Sequence, residues 1–128
     1  MVEARALTTP YQVEFRAGRN TGRADTLKNG VGGTAGLRPH ELLEAALASC
    51  MTITARMALE EMGLIGTEAK VVVTLDRQET VTRFRYDLVL DPPVSQAQHQ
   101  AVAERVRRSP VRRTLGGPLE FEPARLEP

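Results

Sequence analysis

Residues 11–17, Tyr11-Gln12-Val13-Glu14-Phe15-Arg16-Ala17, alternate apolar and polar side chains, the period-two pattern of a half-buried strand. Gly18-Arg19-Asn20-Thr21-Gly22 reads as a turn, because Gly and Asn tolerate positive φ. A weaker strand over about 23–28 then completes a hairpin. Gly30, Gly32, Gly33 and Gly36 mark residues 29–36 as a flexible connector. No Gly-Lys-Ser/Thr closes that glycine cluster and no buried strand precedes it, so it does not match a phosphate-binding loop.

Pro39 opens the strongest helical pattern. Proline is preorganised for the first helical position, and Glu41 and Glu44 stand in the first turns, where the helix dipole favours acids. Leu43, Ala46, Leu47, Cys50, Ile53, Thr54 and Met57 recur three or four residues apart, which predicts an apolar stripe along the helix. Gly63 is a natural stop. The helix is then about 24 residues, roughly 36 Å long, and the face its own domain leaves uncovered is expected to meet another subunit.

The second half repeats the rhythm. Residues 68–75 and 81–90 read as two strands around the charged turn Asp76-Arg77-Gln78-Glu79, with Phe84, Tyr86, Leu88 and Leu90 on one face. Ser95 with Gln98 forms a capping box that starts a helix running to about Arg108, where Ser109-Pro110 breaks it. Residues 118–123 offer a short last strand around Leu119 and Phe121. The order strand, strand, long helix, strand, strand, helix, strand is α+β.

Composition narrows the functional classes. At 128 residues the chain is expected to be one domain, 1–128. Aromatics are only 4% and Trp is absent, so Val, Leu, Ala and Met must supply the core. A net charge of +1 argues against a general nucleic-acid or membrane-surface binder. Arg105, Arg107, Arg108, Arg112 and Arg113 cluster without interleaved aromatics and read as a solvated helix end, with an anionic-ligand contact as the lesser reading. No uninterrupted apolar run of membrane-spanning length and no signal segment is apparent, so a cytoplasmic protein with no membrane partner is expected. His, Cys and carboxylates show no metal-ligand spacing, and His99 has no assigned role.

The chain has one cysteine, Cys50, which cannot form an intramolecular disulfide. On an apolar stripe, a lone cysteine is either a small buried hydrophobe or a reactive thiol, and the periodicity leaves both readings open.

The run Gly33-Thr34-Ala35-Gly36-Leu37-Arg38-Pro39-His40-Glu41-Leu42-Leu43-Glu44-Ala45-Ala46-Leu47-Ala48-Ser49-Cys50 resembles the OsmC/Ohr family, the osmotically inducible and organic hydroperoxide resistance proteins. Ser109-Pro110-Val111-Arg112-Arg113-Thr114-Leu115 is similar to that family's second cysteine motif, Cys-Pro-x-x-x-x-Leu. The resemblance implies antiparallel sheets around a long central helix in an intertwined homodimer. It also implies thiol-dependent reduction of organic hydroperoxides or hydrogen peroxide, with no cofactor. Cys50 falls at the position of the peroxidatic cysteine, and Arg19 at that of the arginine that activates it and orients the peroxide. The acid that follows the proline in the best-studied peroxidases is His40 here, and Glu41 matches the acid of a more divergent branch. Ser109 stands where the resolving cysteine is expected.

Those positions carry definite chemistry. Only a thiolate attacks a peroxide O–O bond, and attack leaves a sulfenic acid that another thiol must capture before it over-oxidises. Ser109 cannot do so, which implies an external thiol or dithiol reductant. Glu41 and Cys50 are nine residues apart, roughly 13.5 Å along a helix axis, so they cannot touch within one straight helix. Glu41 is expected to act through an arginine or across the dimer, or to serve only as a dipole-favoured acid. The other reading is a non-catalytic dimer of the same fold that binds a small apolar or anionic ligand at its interface.

Overall fold

The computed structural model describes residues 1–124. The chain divides into two compact units, one of residues 1–45 and 75–84, the other of residues 46–74 and 85 onward.

The first unit holds an antiparallel sheet in the order β1-β2-β3, with β1 at Glu3–Ala6, β2 at Val13–Ala17 and β3 at Asn20–Ala24. Ala17 pairs with Asn20, and Gly18 at φ 61° lets the chain reverse over only two residues. The turn is therefore shorter than the sequence pattern suggests, and β3 starts three residues earlier than expected. Nothing in the sequence pattern predicts β1. Glu3-Ala4-Arg5-Ala6 has no β-branched or aromatic residue and takes its conformation from pairing with β2.

The glycine-rich stretch forms a loop held by hydrogen bonds to Asp25. Asp25 is 1% exposed. Its carboxylate accepts the N–H groups of Thr26 at 2.8 Å and Ala35 at 3.1 Å. The bond from Ala35 leads in holding the Asp25 carboxyl below the usual carboxylate range, against the opposing effect of burial. Gly32 has φ +89°, and a Cβ there would lie 2.1 Å from the Thr26 carbonyl oxygen, so only glycine fits. The Asp25 N–H donates to the Leu37 carbonyl at 3.0 Å, which leads the chain to the long helix.

That helix, α1, spans Pro39–Glu61. Pro39 takes the first helical position as predicted, and Glu41 Oε1 accepts the Arg38 N–H at 2.9 Å, the backward half of a capping box. Strands β4 (Glu68–Arg77) and β5 (Thr82–Asp91) form a two-stranded hairpin. Glu44 accepts the Leu75 N–H at 2.8 Å, which ties α1 to β4 within the first unit.

The second unit contains most of the buried apolar side chains. Leu47, Met51, Ala55, Ala58 and Leu59 of α1 are buried with Val71 of β4, Leu90 of β5 and Val102 and Val106 of α2, which spans Gln96–Arg107. This corrects the predicted stripe. Of its members only Leu47 is buried, while Ile53 is 62% and Met57 50% exposed. The helix is apolar on more than one face, so three- and four-residue spacing alone could not choose the core-facing one. An eighteen-residue window of α1 has a mean hydropathy of 1.4 with 28% of it buried. By length and composition alone this helix could cross a membrane, a test that the core helix of a soluble protein also meets.

Gly63, at φ +74°, follows the end of α1. The capping box of α2 is present, with Ser95 Oγ accepting the Gln98 N–H at 3.1 Å and Gln98 Oε1 accepting the Ser95 N–H at 3.0 Å. Two features beyond α2 differ from expectation. Ser109-Pro110 does end α2, but Pro110 also starts a short helix, α3, at Pro110–Gly116. Proline stops the helix before it and suits the first position of the next. Residues 118–123 form no strand: Leu119 and Phe121 alternate correctly but are exposed, and a strand requires a paired edge.

Candidate functional site

Cys50 lies on the half-buried flank of α1, one residue before the fully buried Met51. It opens onto a cavity of about 310 Å³ in the second unit. From α1 the cavity takes Cys50, Ile53, Thr54 and Met57, and the end of α2 supplies Arg105 and Arg108, followed by Ser109 and Pro110. Four members of the predicted stripe that do not enter the core, Cys50, Ile53, Thr54 and Met57, therefore line this hollow, while Leu43 and Ala46 do not.

The α2–α3 junction faces the sulfur. The Val111 backbone N–H, at the second position of α3, donates to Cys50 Sγ at 3.5 Å. Sulfur is a weak acceptor, so this is a weak hydrogen bond. Ser109 is 1% exposed, and its Oγ has no hydrogen-bond partner among the described residues. A serine preceding a helix usually caps it, but this one makes no side-chain cap. An orphan buried hydroxyl is rare enough to require a cause.

Arg105 is committed elsewhere. Its Nη1 donates to Glu61 Oε2 at the end of α1, and this hydrogen bond is the main reason the Glu61 carboxyl lies below its ordinary range. Arg107 does the same for Glu104, to which Arg108 adds only a smaller long-range contribution. The Arg108 side chain makes no hydrogen bond or ion pair among the described residues, which leaves an uncommitted guanidinium at the rim.

Of the four residues singled out from sequence, Cys50 and Ser109 line this one cavity. Arg19 and Glu41 belong to the first unit. Arg19 is exposed in the two-residue β2–β3 turn. Glu41 caps α1 through Arg38 and lines a separate hollow of about 570 Å³ with Lys28, Arg38, His40 and Arg77. Sequence reasoning misses Arg105, Arg108 and the Val111 N–H. The arginine cluster is visible in the chain but reads as a solvated helix end, and a backbone donor leaves no mark in the residue pattern.

A sequence profile of the family described as OsmC-like protein matches residues 31–124, a span that includes the α1 motif, Cys50 and Ser109. The chain belongs to the OsmC-like protein family. Solved structures agree on the fold. A protein assigned to the osmotic stress and detoxification response of Psychrobacter arcticus superposes with a TM-score of 0.68 at 16% identity, over 88% of this chain and 85% of that one. An OsmC-like protein from Mycoplasma pneumoniae gives 0.67 at 16% identity, over 91% and 86%. The organic hydroperoxide resistance protein OhrB of Bacillus subtilis gives 0.61 at 17% identity, over 91% and 90%. No curated protein matches the sequence.

Proposed function

We propose that this OsmC-like protein is a one-cysteine peroxidase, a homodimer that reduces organic hydroperoxides or hydrogen peroxide at Cys50 and is recycled by an external thiol. The observation that supports this most directly is the half-buried Cys50 sulfur on an open cavity, with the Val111 N–H 3.5 Å away. The Cys50 thiolate attacks the terminal oxygen of ROOH, the O–O bond breaks, and ROH leaves after gaining a proton. Sulfur is oxidised by two electrons to sulfenic acid. By the family resemblance Arg19 orients the peroxide, and Glu41 acts through an arginine or across the dimer.

No second cysteine exists in the chain, so the recycling thiol is external. It attacks the sulfenic sulfur, water leaves, and a mixed disulfide forms. A second thiol equivalent then releases Cys50 as a thiol and departs as the small-molecule disulfide. The homodimer is supported by the bare side chains Ile53 and Met57 beside the cavity, an apolar strip that a second copy would cover.

Turnover tests the proposal. With cumene hydroperoxide and excess dithiothreitol, the protein is expected to produce 2-phenyl-2-propanol catalytically, and Cys50→Ser to match the uncatalysed rate. Equal rates for both proteins would remove the peroxidase reading and leave the ligand-binding one.

A further inference from the structure

From the rim chemistry we infer that the thiol which recycles Cys50 is a small monothiol carrying a carboxylate, whose anionic end is recognised by Arg108. This rests on the peroxidase reading and specifies its second substrate. Three observations select the class. The cavity of about 310 Å³ lies at the small end of ligand sites, which suits a molecule of few heavy atoms. Ile53 and Met57 line it as exposed apolar side chains, and the second copy that covers them would enclose a short hydrocarbon spacer between the two functional groups. At its rim Arg105 is neutralised by Glu61, whereas Arg108 has no ion-pair partner among the described residues. A guanidinium in that position pairs with a carboxylate by a two-pronged hydrogen bond.

Ser109 is the independent sign that the site takes a polar occupant. The residue is 1% exposed and lines the same cavity as Cys50, and its hydroxyl is unpartnered among the described residues. The oxygen that Cys50 gains as sulfenic acid gives this hydroxyl an acceptor. The thiol then attacks the sulfenic sulfur, the S–O bond breaks, and the oxygen leaves as water with the proton from the thiol. The product is a mixed disulfide at Cys50 with its carboxylate at Arg108.

The test compares 3-mercaptopropionate with its neutral methyl ester. Cys50 is first oxidised with one equivalent of cumene hydroperoxide, and mixed-disulfide formation is followed by intact mass. The ratio of acid to ester rates is expected to fall roughly fivefold in Arg108→Gln, and to fall similarly in high salt, as for a partly exposed charge pair. A ratio that stays within about twofold in Arg108→Gln, less than a modest charge pair supplies, overturns the inference. A parallel measurement needs no peroxide: reduced Cys50 is mixed with 3,3′-dithiodipropionate or its dimethyl ester, and thiol–disulfide exchange is timed. The same fall in ratio supports the anion site even if Cys50 fails to react with peroxide, so the two readings fail separately. An exchange ratio indifferent to Arg108→Gln counts against the anion site.

Discussion

The backbone N–H of Val111 points at the sulfur of Cys50 from 3.5 Å, across 61 residues of sequence. This contact joins the middle of α1 to the start of α3 and puts the chain's one thiol at the α2–α3 junction. The same junction carries Ser109, whose buried hydroxyl has no partner among the described residues. The site therefore sets a backbone donor on its sulfur, with the apolar side chains Ile53 and Met57 lining the same cavity.

Ser109 supplies a stability prediction with a definite sign. Ser109→Ala removes an unsatisfied buried hydroxyl with little change in shape, and is expected to stabilise the protein by about 1 kcal/mol in urea unfolding. A loss of that size would mean the hydroxyl has a partner. Ser109→Cys is expected to lose about 2 Da, the mass of two hydrogens, after peroxide treatment as the introduced thiol forms a disulfide with Cys50. Intact mass reads that outcome, and an unchanged mass would count against the proposed resolving position.

The two faces of α1 should respond differently. Met51 is fully buried, and Met51→Ala is expected to cost about 2–4 kcal/mol through the cavity it leaves. Ile53 is 62% exposed, so Ile53→Lys should act through self-association. Light scattering is expected to show half the native mass for Ile53→Lys with helical content retained. A full-mass Ile53→Lys would place the dimer interface elsewhere.

Asp25 gives a pH dependence. Its folded-state carboxyl is lowered from 3.8, chiefly by the Ala35 hydrogen bond. Its stabilising contribution is therefore complete above the unfolded value and is lost as pH falls through the folded one. The gap in urea midpoint between the wild type and Asp25→Asn is expected to be constant above about pH 5 and to shrink below about pH 4. A gap that persists undiminished at about pH 3 would contradict the role given to the charged form.

Arg19 separates stability from chemistry. It is exposed in a turn, so Arg19→Ala should change stability by less than about 0.5 kcal/mol. If it orients the peroxide, the same variant should slow oxidation of Cys50 by about tenfold or more in stopped-flow measurements. An unchanged rate would leave Arg19 as a surface residue.

Elements with local punctuation were legible in the sequence. The Pro39 start of α1, the Ser95–Gln98 capping box and the β4–β5 alternation each arise from neighbouring residues, and the structure shows all three. What depended on distant partners was not legible. β1 exists because β2 pairs with it, while residues 118–123 have strand-like alternation but no strand. Pro110 carries two meanings, and only its start of α3 puts the Val111 N–H on the sulfur. The family motif draws attention to Cys50 and Ser109, which do share a cavity. Arg108 could not be singled out, because an uncommitted charge is recognised only once its neighbours' partners are known.

The central claim is that Cys50 is a peroxide-reactive thiol. Intact mass spectrometry with dimedone present, after one equivalent of cumene hydroperoxide at neutral pH, tests it most directly. The predicted result is a single dimedone adduct on Cys50 within seconds, absent in Cys50→Ser. An unmodified Cys50 after several minutes, in protein that is folded and reduced, would contradict it.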